Sequence, residues 1–447
     1  MRRAVAPLIA VTVALVLADS AVVTLALPDI LQHLNTSVAQ VAWVLIAFNL
    51  VLGIVAVPTA VAFTRAQPRF LTAAGIAVFA GSSAWCALAQ SIDVLIAARC
   101  LQALGGAFAL LGCLELLVAV YGERRGVATW VTAGVIGTAT GPVAGGLLTE
   151  AFSWQAIFVV QVPFAVLAVP AALAVRAAPE VTPDRHRPAI RPNLTLALLS
   201  AALTAALFLL VLLLVEGWQH SPATAALTVS VVPVAALAAR PLARVMRPPP
   251  DVEVGVGCFL IAGGLTGLAL LPSADLFWTV APQALVGLGL GLTVDRLTSQ
   301  AMEMRLPRVR HAGWTIGARH VGVVVGLAIL TPVFTADLLD AEVPAQEAIA
   351  ALVLDAPLKP DVKIAIAQAL GRELTDQQGQ VPNLHRAFAS LEVEPEDRSA
   401  TAQLERDLDA QVQRAVTRAF RDSFLIGAGL AILALLTVVA PRRRTDP

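Results

Sequence analysis

Long apolar runs separated by short polar segments make up most of the chain. A helix needs about 20 apolar residues to cross the hydrocarbon core of a bilayer, and runs of that length recur from end to end. They predict membrane helices over 7–27, 42–64, 70–89, 94–121, 126–149, 156–177, 193–215, 222–240, 253–272, 275–294, 313–335 and 422–440. We therefore predict an all-α polytopic membrane protein with twelve transmembrane helices.

The composition agrees with this prediction and excludes several soluble classes. Of 447 residues, 57% are hydrophobic and 14% are charged, whereas ordinary globular domains have about 45–50% and about 25%. So many apolar residues exclude intrinsic disorder, and a net charge of zero without a sustained basic block argues against nucleic-acid binding. The four cysteines lie in apolar runs without metal-ligand spacing, so we predict no metal and no cofactor.

The arginines predict how the chain crosses the membrane. Both termini and alternate connections carry Arg, whereas the intervening short loops contain neither Lys nor Arg: 28–41, 90–93, 150–155, 216–221 and 273–274. Lys and Arg concentrate in short cytoplasmic loops. We therefore predict a multi-pass protein of the cell membrane with both termini in the cytoplasm.

Two segments divide the chain. A Pro- and Arg-rich stretch at 178–192 separates six spans from six, which predicts an N-terminal bundle over 1–177, a cytoplasmic linker and a C-terminal bundle over 193–447. Residues 337–421 form a long loop on the outer side with fifteen acidic and nine basic residues. Apolar residues there at three- and four-residue spacing predict amphipathic helices over 343–354, 361–374 and 400–420. The loop is either a cap that shapes cargo release or docks a partner protein, or a dispensable insertion.

Charges inside predicted spans need an explanation, because each costs about 2.5–3.5 kcal/mol at the bilayer centre, and two are the clearest cases. Asp19 is near the middle of the first span, and Arg99 opens the fourth. Asp19 is either a carboxylate that takes up and releases a proton, because burial disfavours its charged form, or a structural charge paired with an Arg. Gln102 shares a helix face with Arg99. We single out Asp19 and Arg99 as the proton-coupling pair.

Three motifs resemble those of the drug/proton exporters of the major facilitator superfamily. The string GTATGPVAGG over 137–146 resembles their antiporter motif, DSAVVTLALP over 19–28 their first-span motif, and RCLQALG over 99–105 their fourth-span motif. The loop over 63–69 departs from the family pattern, because it lacks the Asp and the Gly found there. The resemblance implies two six-helix bundles around a central cavity, a membrane-embedded Asp, and a hinge formed by Gly137, Gly141, Pro142, Gly145 and Gly146.

Other polar and aromatic residues in the spans are candidates for substrate binding: Trp43, Asn49, Gln102, Gln283, Trp314, Arg319 and His320. Arg319 resembles an Arg common at that place in the family. His320 either changes charge near neutral pH or stays neutral and hydrogen-bonded between helices. Asp295 and Arg296, at the cytoplasmic end of the tenth span, form either a gate salt bridge or an exposed surface.

We expect a monomeric secondary active transporter that couples proton movement to export of amphiphilic or hydrophobic small molecules. Two alternatives stay open: an exporter or flippase of a lipid or cell-envelope precursor, and a non-transporting membrane sensor or scaffold. No His, Ser and Asp constellation lies near a membrane face, so we predict no enzymatic activity.

Overall fold

The computed structural model describes residues 2–179, 186–303, 305–376, 388 and 397–439. The regular elements in this part of the chain are helices. We number them α1 (Arg2–His33), α2 (Val38–Phe63), α3 (Pro68–Ala87), α4 (Ile92–Tyr121), α5 (Glu123–Ala151), α6 (Ala156–Ala174), α7 (Ile190–Gly217), α8 (Pro222–Met246), α9 (Pro250–Ala269), α10 (Leu276–Met302), α11 (Arg308–Asp355), α12 (Pro360–Asp376), α13 (Arg398–Ala419) and α14 (Arg421–Val439).

Twelve candidate spans among the described residues confirm the predicted number. They are α1 to α11 and the adjoining pair α13 and α14, each long and apolar enough to cross a membrane. Two spans are interrupted by one residue, after Val159 in α6 and after Val229 in α8. In both cases a proline lies four residues further on, and a proline removes the hydrogen bond to the carbonyl four residues before it. The interruptions therefore follow from Pro163 and Pro233.

Glycines bring helices into close contact within each six-helix bundle. In the first bundle a Cβ at Gly137 would lie 2.1 Å from the Ala14 carbonyl oxygen, which fixes α5 against α1. In the second, a Cβ at Gly322 would lie 2.1 Å from the Ala197 carbonyl oxygen, which fixes α11 against α7. Small residues let helix backbones approach closely in membranes. The two contacts join the first and fifth helices of their respective bundles, as expected of a duplicated six-helix unit.

The predicted outer loop is helical, but its beginning differs from the prediction. The eleventh span was expected to end at 335, whereas α11 continues without a break to Asp355. The predicted helix over 343–354 is therefore an extension of the span, and the helix passes through Pro344 without a break. The predicted helices over 361–374 and 400–420 correspond to α12 and α13. Residues 377–387 and 389–396 of the loop, and 180–185 of the linker, lie outside the described residues.

An apolar stripe attaches α13 to the rest of the molecule. Leu404, Leu408, Val412 and Val416 are buried, as their four-residue spacing predicts. Trp218 Nε1, at the end of α7, donates a hydrogen bond to Thr417 Oγ1 at 2.9 Å. Only Phe420 separates α13 from the last span, α14. The predicted outer loop therefore joins the last span along the end of α7.

We call the side on which α1 begins and α14 ends the near face, and the opposite side the far face. Polar contacts link the bundles on both. On the near face, Arg308 Nε lies 3.9 Å from Glu123 Oε1. On the far face, the Ala223 backbone N–H donates to Glu150 Oε2 at 2.7 Å. These contacts hold the bundles together around the central space that contains the candidate site.

Candidate functional site

Asp19 and Arg99 form a buried ion pair between α1 and α4. Both side chains are 0% exposed, and Arg99 Nη1 donates to Asp19 Oδ2. The sequence singled out both residues for the cost of their charges in a membrane, and the fold brings them together. An isolated ion in such an environment would be far less stable than a paired one. Each charge is therefore the main electrostatic partner of the other.

Amide side chains complete the surroundings of Asp19. Gln102 Nε2 and Gln161 Nε2 donate to Asp19 Oδ1 at 3.3 Å and 3.0 Å. Gln102 Nε2 also donates to Ser83 Oγ at 2.8 Å. Both carboxylate oxygens thus accept hydrogen bonds. Sequence reasoning missed Gln161 and Ser83. The available signal was a polar residue inside an apolar run, with Gln161 alone and Ser83 beside Ser82.

Arg99 also contacts α2. Its Nε donates to the Val44 carbonyl oxygen at 3.3 Å, and its guanidinium carbon lies 4.1 Å from the centroid of the Phe48 ring. In the part of the chain that the structure describes, Arg99 Nη2 has no hydrogen-bond partner. The guanidinium is thus held by α1, α2 and α4 together, and a change in the charge of Asp19 would be felt by all three helices.

Beside the ion pair, two adjoining cavities lie between the bundles. Leu17, Thr138 and Arg319 border both, and most of the other lining residues are apolar. We call the two together the central cavity. Asp19 does not line it, but its neighbour Ser20 does. The buried carboxylate of Asp19 is thus adjacent in sequence to a residue that lines the central cavity.

Three of the predicted substrate-binding residues line the central cavity, and a hydrogen bond joins two of them. These are Asn49, Arg319 and His320. Asn49 Oδ1 and His320 Nδ1 are 2.7 Å apart, so α2 of the first bundle meets α11 of the second. Asn49 Nδ2 donates to Ser20 Oγ at 3.3 Å. With the Asn oxygen as acceptor, His320 Nδ1 donates, and this bond joins two helices.

The other predicted substrate-binding residues lie elsewhere. Trp43 and Trp314 do not border the central cavity, and 50% and 39% of their surfaces are exposed. Gln283 is fully buried and donates to Thr279 Oγ1 at 2.9 Å. Gln102 belongs to the Asp19 cluster. A tryptophan ring can pack against lipid as well as against other helices. The sequence alone therefore does not show whether Trp43 and Trp314 face the lipid or the central cavity.

The predicted gate residues have separate partners. Asp295 forms an ion pair with Arg240 of α8, and Arg296 Nε lies 2.6 Å from Glu253 Oε2 of α9. Arg240, Asp295 and Arg319 line the near-face half of the central cavity. Sequence reasoning counted Arg240 only as a loop charge, because its predicted span ended there. The structure thus places an ion pair on the cavity wall instead of between neighbouring residues of α10.

The glycine-rich string of α5 faces two helices. Cβ atoms at Gly141 and Gly145 would lie 3.0 Å and 2.4 Å from the carbonyl oxygens of Ala18 and Val22 in α1. A Cβ at Gly146 would instead lie 2.3 Å from the Ala226 Cβ of α8, across the bundle interface. Pro142 lines the central cavity. One short string therefore contacts the helix that carries Asp19 and also the opposite bundle.

Comparison with known proteins adds family relationships to this geometry. A family model described as Major Facilitator Superfamily matches residues 9–331. The methylenomycin A resistance protein of Streptomyces coelicolor is 28% identical over 380 residues, which are 76% of this chain and 78% of that protein. Two further relatives match a shorter segment. These are the tetracenomycin C resistance and export protein of Streptomyces glaucescens and the multidrug efflux pump LfrA of Mycolicibacterium smegmatis.

The tetracenomycin C resistance and export protein is 34% identical over 170 residues, which are 37% of this chain. LfrA is 33% identical over 159 residues, which are 35% of this chain. The chain spans only 32% of the length of each. Among solved structures, a bacterial homologue of the human lysosomal transporter Spinster, in an inward-facing and unoccupied conformation, has a TM-score of 0.61 at 15% identity. That comparison covers 100% of this chain and 99% of the other, and it shows a shared fold.

Proposed function

We propose that this chain, which belongs to the major facilitator superfamily, exports amphiphilic or hydrophobic small molecules in exchange for protons. The family and the transport relatives make it a multi-pass membrane transport protein and not an enzyme. Proton coupling, alternating access between the two bundles and residence in the cell membrane are parts of our proposal. The cytoplasmic side would be the near face, where the arginine-rich connections lie.

The observation that carries the proposal is the ion pair of Asp19 and Arg99, one residue from the central cavity. With Asp19 ionised, the pair is electrically neutral and both groups are bonded. A proton on Asp19 would leave the Arg99 charge uncompensated in a buried site, at a cost that favours rearrangement. Because α1, α2 and α4 all hold Arg99, the rearrangement would change their packing.

A short route leads from this pair to the contact between the bundles. Ser20 follows Asp19 in α1 and accepts a hydrogen bond from Asn49, which in turn meets His320 of the second bundle. A shift of α1 against α2 would change the Asn49 to His320 bond directly. The Gly145 and Gly146 contacts let α5 move with α1 while it borders α8. We propose that protonation of Asp19 is transmitted along these contacts to alternating access.

The names of the relatives support small-molecule export over the alternatives. They describe resistance to and export of drugs, and none of the three names a lipid. A scaffold or sensor without transport would have no use for a buried charge pair beside a cavity, since such charges are costly. We therefore retain a small molecule as the cargo and leave the lipid precursor as the alternative to be tested.

Proteoliposomes that contain the purified protein and an imposed pH gradient test this proposal. A panel of fluorescent amphiphiles that are anionic, neutral and cationic is offered as cargo. We expect the wild type to concentrate at least one of them, and Asp19→Asn to bind that probe without concentrating it, because the amide mimics a permanently protonated carboxylate. Asp93→Asn is the matched control, since Asp93 is exposed in the first turn of α4. Full gradient-driven accumulation by Asp19→Asn would exclude Asp19 from coupling.

A further inference from the structure

The wall of the central cavity carries an excess of positive charge. Among the described residues that line it, the groups charged at neutral pH are Arg240, Asp295 and Arg319. Arg240 and Asp295 form an ion pair and so compensate one another. His320 also lines the cavity, but its Nδ1 already bonds to Asn49. The uncompensated charge on this wall is therefore that of Arg319.

Arg319 has no bonded partner in the described ranges. No hydrogen bond to its guanidinium and no carboxylate within salt-bridge distance is found there. Asp295 acts on it electrostatically from α10, but its ion pair is with Arg240. A guanidinium presents five N–H donors in a planar fork, and an unpaired cation inside an apolar wall is unfavourable. The side chain is suited to a partner that enters the cavity.

The surroundings of Arg319 define the rest of that partner. On one side lie Leu203, Leu207 and Phe208 of α7, and on the other Leu290 and Val294 of α10. These apolar side chains would cover a hydrocarbon or aromatic body. Asp19, the other nearby carboxylate, is fully buried and bonded to Arg99. No carboxylate on the described cavity wall is thus available to a cationic cargo.

We infer that the cargo is an amphiphilic organic acid whose carboxylate is bound by Arg319 and whose apolar body lies between α7 and α10. A carboxylate matches the guanidinium fork with two parallel hydrogen bonds. The inference rests on the proposed function, because it takes the central cavity as the cargo site. It adds that lipophilic cations are poor cargo and that neutral molecules of the same shape bind less tightly than the acid.

Equilibrium binding to the purified full-length protein in lipid nanodiscs tests the inference. Isothermal titration calorimetry is performed with 4-octylbenzoate, 4-octylbenzamide and 4-octylphenyl-trimethylammonium, at a pH where the benzoate is ionised. Empty nanodiscs provide the blank for partition into lipid. The three probes share one hydrophobic body and differ in the charge of the head. The binding measurement needs no proton gradient, so it can fail while the Asp19 transport experiment succeeds, and the reverse also holds.

We expect the wild type to bind the benzoate at least about tenfold more tightly than the benzamide, as for a charge-assisted hydrogen bond, and the ammonium compound most weakly. Arg319→Gln should abolish this preference, because benzoate binding loses much more than benzamide binding when the guanidinium is removed. Arg319→Lys should retain part of it, because the charge remains and the fork is lost. Arg244→Gln is the matched control, since Arg244 is exposed one turn away from Arg240 in α8 and does not line the cavity.

Two results would overturn the inference. One is a wild type that shows no preference for the benzoate, including a wild type that does not bind it measurably. The other is a benzoate preference that survives intact in Arg319→Gln. If Arg319→Gln fails to fold, as shown by loss of its monodisperse peak in size-exclusion chromatography, the wild-type order and Arg319→Lys decide. An Arg319→Lys variant that still prefers the benzoate supports recognition by charge. An Arg319→Lys variant that binds the benzoate and the benzamide equally tightly contradicts it.

Discussion

Asp19 accepts hydrogen bonds on both carboxylate oxygens from side chains of α4 and α6. Such saturation is what a buried ion requires, because each unmet lone pair would add a desolvation cost. Arg99 is less completely bonded, with Nη2 facing no acceptor in the described part of the molecule. The pair is thus held mainly through the carboxylate. Under the proposed mechanism, a proton on Asp19 would therefore release Arg99.

Removing one member of this pair should be worse than removing both. Arg99→Met leaves the Asp19 carboxylate buried without a cation, a change that typically costs about 3–5 kcal/mol. Adding Asp19→Asn removes that charge, so the double variant should unfold at a higher temperature than Arg99→Met alone. The thermal unfolding midpoint in detergent, measured for the wild type, both single variants and the double variant, gives the coupling energy. Purely additive effects would show that the two charges do not stabilise one another.

At the scale of the element, one face of α5 contacts a helix of its own bundle and another face contacts a helix of the opposite bundle. Gly137, Gly141 and Gly145 lie against α1, and Gly146 lies against α8. The first contact is inside a bundle and the second is between bundles. Stability should therefore depend on the first face, and the change between conformations on the second. Adjacent residues of one string thus take part in different properties of the protein.

Alanine substitutions should separate these two faces of α5. Gly145→Ala places a Cβ 2.4 Å from the Val22 carbonyl oxygen, so it should lower the thermal unfolding midpoint. Gly146→Ala places a Cβ against Ala226 of the other bundle, so it should change transport rate more than the midpoint. Gly81→Ala is the control, since nothing lies within 4 Å of its added Cβ. Equal effects of Gly145→Ala and Gly146→Ala on both measurements would refute this division.

For the whole molecule, the two bundles meet through a few polar contacts, through close helix contacts of α2 with α11 and of α5 with α8, and around a largely apolar cavity. Glu150 with Ala223 links them on the far face, Glu123 with Arg308 on the near face, and Asn49 with His320 between these levels. Contacts of this kind can be exchanged without unfolding either bundle, since the helices of each bundle are held by their own glycine contacts. The arrangement suits a protein in which the bundles rock against one another.

The orientation of the whole molecule in the membrane is a separate prediction. Single cysteines are introduced at two exposed positions, Ile190→Cys on the near face and Phe152→Cys on the far face, in a variant without the native cysteines. Because the arginine pattern places the near face in the cytoplasm, a membrane-impermeant maleimide should label position 152 in intact cells. Position 190 should react only after permeabilisation. Labelling of position 190 in intact cells would reverse the assigned orientation.

Much of the fold and part of the site were predictable from the sequence alone. The number of spans follows from the length and apolarity of successive runs, which are local properties that do not depend on how helices pack. Asp19 and Arg99 are conspicuous because a charge is costly at membrane depth wherever it lies. The motifs on the first, fourth and fifth spans gave the family. Among the described residues, the extension of α11 to Asp355 is the main change to the predicted elements.

Which side chains meet was decided by the tertiary structure. A span that is apolar all round has no polar face to show which way it is turned, so the sequence did not reveal that Trp43 points away from the central cavity. Gln161 joins Asp19, and Arg240 joins Asp295, because of how neighbouring helices are rotated and tilted. Such contacts connect residues more than fifty positions apart. Hydropathy and spacing therefore determined the spans and the costly charged residues inside them. Helix packing alone determined which side chains are in contact.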